Sequence, residues 1–198
     1  MGADLYIESI QDKLKKEWQP WFEKAVMVRD GLHVASELLP KSSALKPISK
    51  RRAKKNEAQG GDTLNMDTVR DTAQEVVSFF YDKMYEQGYY RDSYNLSNLL
   101  WVLGSDYWQT FAKLLDKEGN MQVPQMEEFI NWLEAHKVPE FDAFTKQCLG
   151  GDAKDGWESW FKQEKPEDIH KYFVQKRERM LAFFRLALQL KEPVRCSI

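Results

Sequence analysis

Tyr89, Tyr90, Arg91, Asp92 and Tyr94 stand almost consecutively in the chain, with Tyr85 just before them and Trp101 and Trp108 shortly after. Amphipathic rings beside an arginine are the anchors that protein interfaces favour, because ring faces bury apolar area while hydroxyl and guanidinium groups keep polar contacts. The spacing predicts a loop over this run, and the loop is the best sequence-level candidate for a binding surface. Tyr90, Arg91 and Asp92 are also the residues on which a dispersed catalytic site would draw. The plain expectation set against both is that the tyrosines cap a core and only their hydroxyls reach solvent. A second set, Lys50, Arg51, Arg52, Lys54 and Lys55, forms a compact basic run. It suits phosphate contacts or a nuclear address, yet no aromatic side chain is interleaved for base stacking, so a solvated loop is expected.

The stretch from Asp116 to Glu127 resembles an EF-hand calcium loop, with Asp116 at the first ligand position, Asn120 at the fifth, Val123 at the eighth and Glu127 at the twelfth. The sixth position, where the sharp turn needs glycine, holds Met121, and the third holds the long side chain of Glu118. A helix end at Gly119 and a helix start at Pro124 are therefore expected in place of a calcium site. Glu167 and His170 make one Glu-x-x-His step, but a di-iron bundle needs two such steps and two further glutamates. His33, His136 and His170 are scattered, and neither Cys148 nor Cys196 sits in a zinc or nucleophile pattern. No metal and no cofactor are expected.

These residues are held by helices. Ile169, Tyr172, Phe173, Met180, Phe183, Phe184, Ala187 and Leu190 recur at steps of three, four and seven, which predicts one long amphipathic helix from Pro166 to Leu190. Pro166 suits a first turn and Pro193 cannot continue the helix. Shorter helices are predicted over about 20–30, with a break or kink at Pro20 and a close at Gly31, over 69–85 ended by Gly88, and over 96–103 capped by Asn95. Others are expected after Ser105, after Pro124 with Met126, Phe129, Ile130 and Leu133 inward, between Pro139 and Gly150, and around Trp157, Trp160 and Phe161. From Pro40 to Met66 the composition changes: seven basic residues stand against two acidic, a net of +5 that leaves −7 for the rest of the chain. This segment reads as a basic mobile insertion.

Asp4–Ile7 and Val194–Ile198 are short, alternating and rich in strand formers, so the two ends are expected to pair as a minimal two-strand element. At 198 residues, 42% hydrophobic and 13% aromatic, the chain suits a single helical domain with one ring-rich core. A net charge of −2 argues against a nucleic-acid binder, and two cysteines make no disulfide framework. Asp4 and Glu8 stand where a signal peptide wants positive charge, and no apolar run has membrane-spanning length. The expectation is a mainly α, single-domain antiparallel multi-helix bundle in the cytoplasm. It is expected to be a non-catalytic binding or adaptor protein acting on another protein through an aromatic-rich surface. Nucleic acid, another polyanion or a membrane is not the expected partner, and oligomeric state is not legible.

Overall fold

The computed structural model of the chain describes residues 2–38, 66–93, 95–105 and 110–197. Its elements are β1 (Gly2–Tyr6), α1 (Glu8–Leu38), α2 (Met66–Met84), β2 (Tyr89–Ser93), α3 (Leu99–Val102), β3 (Asn120–Met121), α4 (Val123–Ala135), α5 (Phe141–Leu149), α6 (Lys154–Gln163), α7 (Pro166–Leu190) and β4 (Val194–Ser197), with a 3-10 turn at Ala112–Leu114. The protein is mainly α, and it divides into two compact units, Met1–Asp12 with Gln87–Ile198, and Lys13–Glu86.

In the first unit α7 is the organising element, bounded as its sequence predicts. Glu167 and Asp168 in its first turn favour the positive end of the helix dipole. Its C-terminus closes on Lys191 at φ 56°, with the Lys191 and Glu192 amides donating to the carbonyls of Leu188 and Ala187. Ile169, Phe173, Met180, Phe183, Phe184 and Ala187 are buried. Phe184 meets Phe129 of α4 edge to face at 4.9 Å. Phe173 meets Phe144 of α5 at 5.8 Å and Trp157 of α6 at 6.0 Å. Each such ring contributes ~1.5–3 kcal/mol of burial, so the stripe of α7 is what gathers α4, α5 and α6 into one core. Leu190 alone of the predicted stripe is exposed, at the last residue of the helix.

The two chain ends do pair. β1 and β4 run antiparallel with Leu5 opposite Cys196, and they form the centre of a four-stranded sheet in the order β2-β1-β4-β3. Ala3, Leu5, Tyr90, Asp92, Met121, Val194 and Cys196 face inward, while Asp4, Tyr6, Tyr89, Arg91 and Arg195 alternate outward. The strands β2 and β3 supply what two strands lack, since an isolated pair is marginal in water. The loop expected from Tyr89 is thus the edge strand β2, started by Gly88 at φ 64°, whose carbonyl accepts the Ile7 amide at 2.8 Å. A Cβ at Gly88 would lie 2.8 Å from that of Ile10.

The second unit is a pair of helices packed antiparallel: Trp18 and Trp21 meet Phe80, Phe22 meets Tyr81, and Arg29 reaches Gln74. The break expected at Pro20 does not occur: α1 runs from Glu8 through both Pro20 and Gly31 to Leu38. Pro20 is exposed, so the carbonyl its missing N–H leaves free faces water, and Trp18 and Trp21 on either side hold the same ring of Phe80. Asn95 does not cap the next helix. Its side chain accepts the Ser97 amide, and Asn98 caps Trp101 three residues later. The helix expected after Ser105 falls largely on 106–109, outside the described residues; Thr110 is helical and a 3-10 turn follows at Ala112–Leu114. The basic insertion lies outside the described residues except for Met66, where α2 begins.

Candidate functional site

The alternation of β2 divides the predicted ring cluster between two faces of the sheet. Tyr89 and Arg91 point outward, where both converge on Asp4: the Tyr89 hydroxyl donates to Asp4 Oδ1 at 2.6 Å and Arg91 Nε lies 3.6 Å from the same oxygen. Tyr6 stacks obliquely on Tyr89 at 5.3 Å. Burial first and then the Asp4 carboxylate push the Tyr89 phenol well above its ordinary pKa. Tyr90 and Asp92 point inward and are buried. Tyr90 packs on Phe183, and burial, reinforced by the Asp92 charge, raises its phenol too. Tyr94 lies outside the described residues, as do Lys50, Arg51, Arg52, Lys54 and Lys55.

Asp92 is the centre of a dry polar knot. Its carboxylate accepts the Ser93 amide at 2.7 Å and the Leu99 amide at 3.2 Å, and Lys176 Nζ of α7 sits 2.7 Å from Oδ1. The two side chains are 1% and 4% exposed, and Lys176 also donates to the Ser97 carbonyl at 2.5 Å. One residue on, Arg177 donates to the carbonyls of His136 and Leu133 at the end of α4. Both cations occupy the gap between Phe173 and Met180 in the apolar stripe, which is the one sign in the sequence that something other than hydrocarbon fills that turn. Every polar atom of the Asp92 carboxylate is thereby engaged by the chain's own groups, and the knot positions the β2–α3 corner on α7.

The loop that resembles an EF-hand is closed on itself. Asp116 Oδ1 accepts the Glu118 and Asn120 amides at 2.9 Å, and Gln122 Nε2 donates to Oδ2 at 2.8 Å. The Asn120 and Gln122 hydrogen bonds lead in holding the Asp116 carboxyl below its usual range. Gly119, at φ 81°, makes the turn, and Met121 is buried in β3. An open hollow of about 400 Å³ beside it is lined by Glu8, Glu118, Asn120, Glu192, Pro193 and Arg195, with Arg195 paired to Glu8 at 2.7 Å. No group of three metal-ligating side chains occurs among the described residues.

Exposed apolar area gathers elsewhere. Trp21, Met27, Val28 and Val34 of α1 and Val76, Phe79 and Tyr81 of α2 are all more than two-fifths exposed, Met27 at 73% and Trp21 at 54%. Outside this helix pair, Val174 and Leu190 are the remaining exposed large apolar side chains among the described residues. Trp21 is stacked on Phe80 at 6.4 Å with the Lys24 ammonium 4.7 Å from its ring. The sequence shows an aromatic-rich run at Tyr89–Tyr94 but gives no sign of this surface, because a side chain on an amphipathic helix does not reveal whether its neighbour is present. No helix of the described residues is long and apolar enough to cross a membrane. Compared with known protein families, curated proteins and solved structures, the chain finds no match.

Proposed function

We propose that this chain is a non-catalytic binding protein of the cytoplasm that engages another protein through the α1–α2 helix pair. One observation carries the proposal: among the described residues, seven of nine exposed large apolar side chains lie on that pair. Scattered exposed apolar residues are ordinary, but a concentration on one element is what interfaces leave behind when their partner is absent. Two antiparallel helices bury one seam against each other and leave the flanks of both stripes open, a geometry that accepts further helices. The free buried thiols of Cys148 and Cys196 support a reducing compartment.

The test is covalent capture. The full chain carrying a benzophenone amino acid in place of Phe79 is irradiated in extract of its source cells, beside a control with the probe at exposed Lys162. A discrete adduct at position 79 that Trp21→Glu abolishes is the expected result. Adducts no stronger than at the control position overturn the proposal.

A further inference from the structure

We infer that the α1–α2 pair opens on its own while the first unit stays folded, so that the proposed binding surface lies on an arm whose order a partner completes; the partner's part in this rests on the binding role proposed above. The buried side chains are distributed very unevenly. One continuous core of 26 buried hydrophobic residues lies wholly within the first unit. Over Lys13–Glu86 the described residues include three, Ala25, Val77 and Met84. The rings that meet in the pair are no deeper: Trp18, Phe22 and Phe80 are half-buried, and Trp21, Phe79 and Tyr81 are exposed.

The free energy of opening follows from what the closed state buries. Unfolding the first unit exposes the whole of its core to water, whereas separating α1 from α2 gives up three buried side chains and a set of thinly covered ring contacts. The backbone freedom regained per residue is similar in both cases, so the pair is the weaker by its missing burial. Few buried apolar contacts and a backbone turned to solvent are the marks of a locally opening segment. Helix propensity does not make up the difference, because isolated helices are marginal in water and α1 carries Pro20 and Gly31 in its interior.

The base of the pair is fastened within the first unit. The Ile7 amide donates to the Gly88 carbonyl at 2.8 Å, and Gln11 Nε2 donates to the Gln87 carbonyl at 2.6 Å. These bonds join the segment that leads into Lys13 to the one that follows Glu86, and they need no contact between the helices beyond. Opening of the pair therefore spares β1 and β2. A partner that covers Trp21, Val28 and Val76 supplies the burial the pair lacks, and by binding the closed form alone it draws the equilibrium toward closure.

Native-state amide exchange of the full chain, in the regime where rates report the opening equilibrium, decides the matter. The amides of Ala25 and Phe80 should be at least ~100-fold less protected than those of Leu133 and Phe184. Val77→Ala should lower protection at Ala25 and Phe80 by a further ~10-fold or more and leave Leu133 and Phe184 within about twofold of the parent. A smaller difference between the units in the parent overturns the inference. So does a Val77→Ala loss that is shared equally by all four amides or absent from Ala25 and Phe80. Exchange needs no partner, so its failure leaves the adduct at position 79 to be judged separately. Absence of that adduct removes the partner and leaves independent opening intact.

Discussion

Replacing Lys176 with methionine tests whether the Asp92 knot holds the first unit together. The substitution keeps the stem's volume and removes the charge, leaving a carboxylate that is 1% exposed without its cation. At 2.7 Å the direct attraction is ~6 kcal/mol for an effective dielectric of ~20, set against a desolvation cost of several kcal/mol for each ion. Removal of one partner recovers none of the other's desolvation. Hydrogen bonds from the Ser93 and Leu99 amides remain and offset part of it. The expected loss is ~3–5 kcal/mol. Adding Asp92→Asn in the same chain removes the stranded charge while an amide oxygen still faces the two backbone donors, so the double variant should regain at least ~2 kcal/mol of that loss. Because the chain has two units, the readout is native-state amide exchange at Leu99 and Phe184, which lie in the first unit only. A Lys176→Met variant within ~1 kcal/mol of the parent, or a double variant no more stable than the single one, refutes the reasoning.

Three further outcomes are expected. Lys191→Gly should raise stability by ~0.5–1 kcal/mol in thermal unfolding, because Lys191 is held at φ 56° where a Cβ is strained; an unchanged or lower midpoint contradicts this. Burial holds the Cys148 and Cys196 thiols at about 12 and keeps the Tyr90 phenol above its ordinary value, so the folded state retains protons that the unfolded chain loses from pH ~8.5 for thiols and ~10 for phenol. Stability is thus full below those values and lost as pH climbs toward the folded pKa values, by ~1.4 kcal/mol per pH unit for each group, with a shallower slope above pH ~10 in Tyr90→Phe; rapid thiol labelling of the native chain at pH ~8 counts against it. Truncation after Pro193 removes buried Val194 and Cys196 and uncovers β1, which should cost at least ~2 kcal/mol and speed amide exchange at Leu5; an unchanged melting temperature sinks it.

The elements whose own residues carry both their boundaries and their buried face were legible. Pro166 and Pro193 bracket α7, Pro124 opens α4, and Met126, Phe129, Ile130 and Leu133 are all buried as their spacing demands. The terminal strands were legible for the same reason: Val194 and Cys196 alternate, and two short strands with buried backbones need each other. Pro20 misled because a proline signal is local, whereas the helix is held by rings on both sides of it meeting Phe80, 60 residues away in the chain. β2 misled differently. Arg91 and Asp92 within it are poor strand formers, and only pairing with β1 and the inward cation of Lys176 make an extended, buried Asp92 favourable.

That last case shows why the candidate site was harder to see than the fold. In the run Tyr89 to Asp92 the chemistry-bearing residues are real neighbours in sequence, but a period of two sends them to opposite faces, so the apparent cluster becomes an outward pair that meets Asp4 and an inward pair that meets Phe183 and Lys176. On α1 and α2 the reverse happens. Trp21 and Phe80 are remote in sequence and adjacent in space. Val76 and Val77 are ~100° apart around α2, and only Val77 is buried. A stripe broader than the single seam that covers it has one physical consequence: the uncovered remainder is a surface in search of apolar contact. Trp21, Val28 and Val76 are that remainder, each more than two-fifths exposed while Val77, the next residue to Val76, is buried.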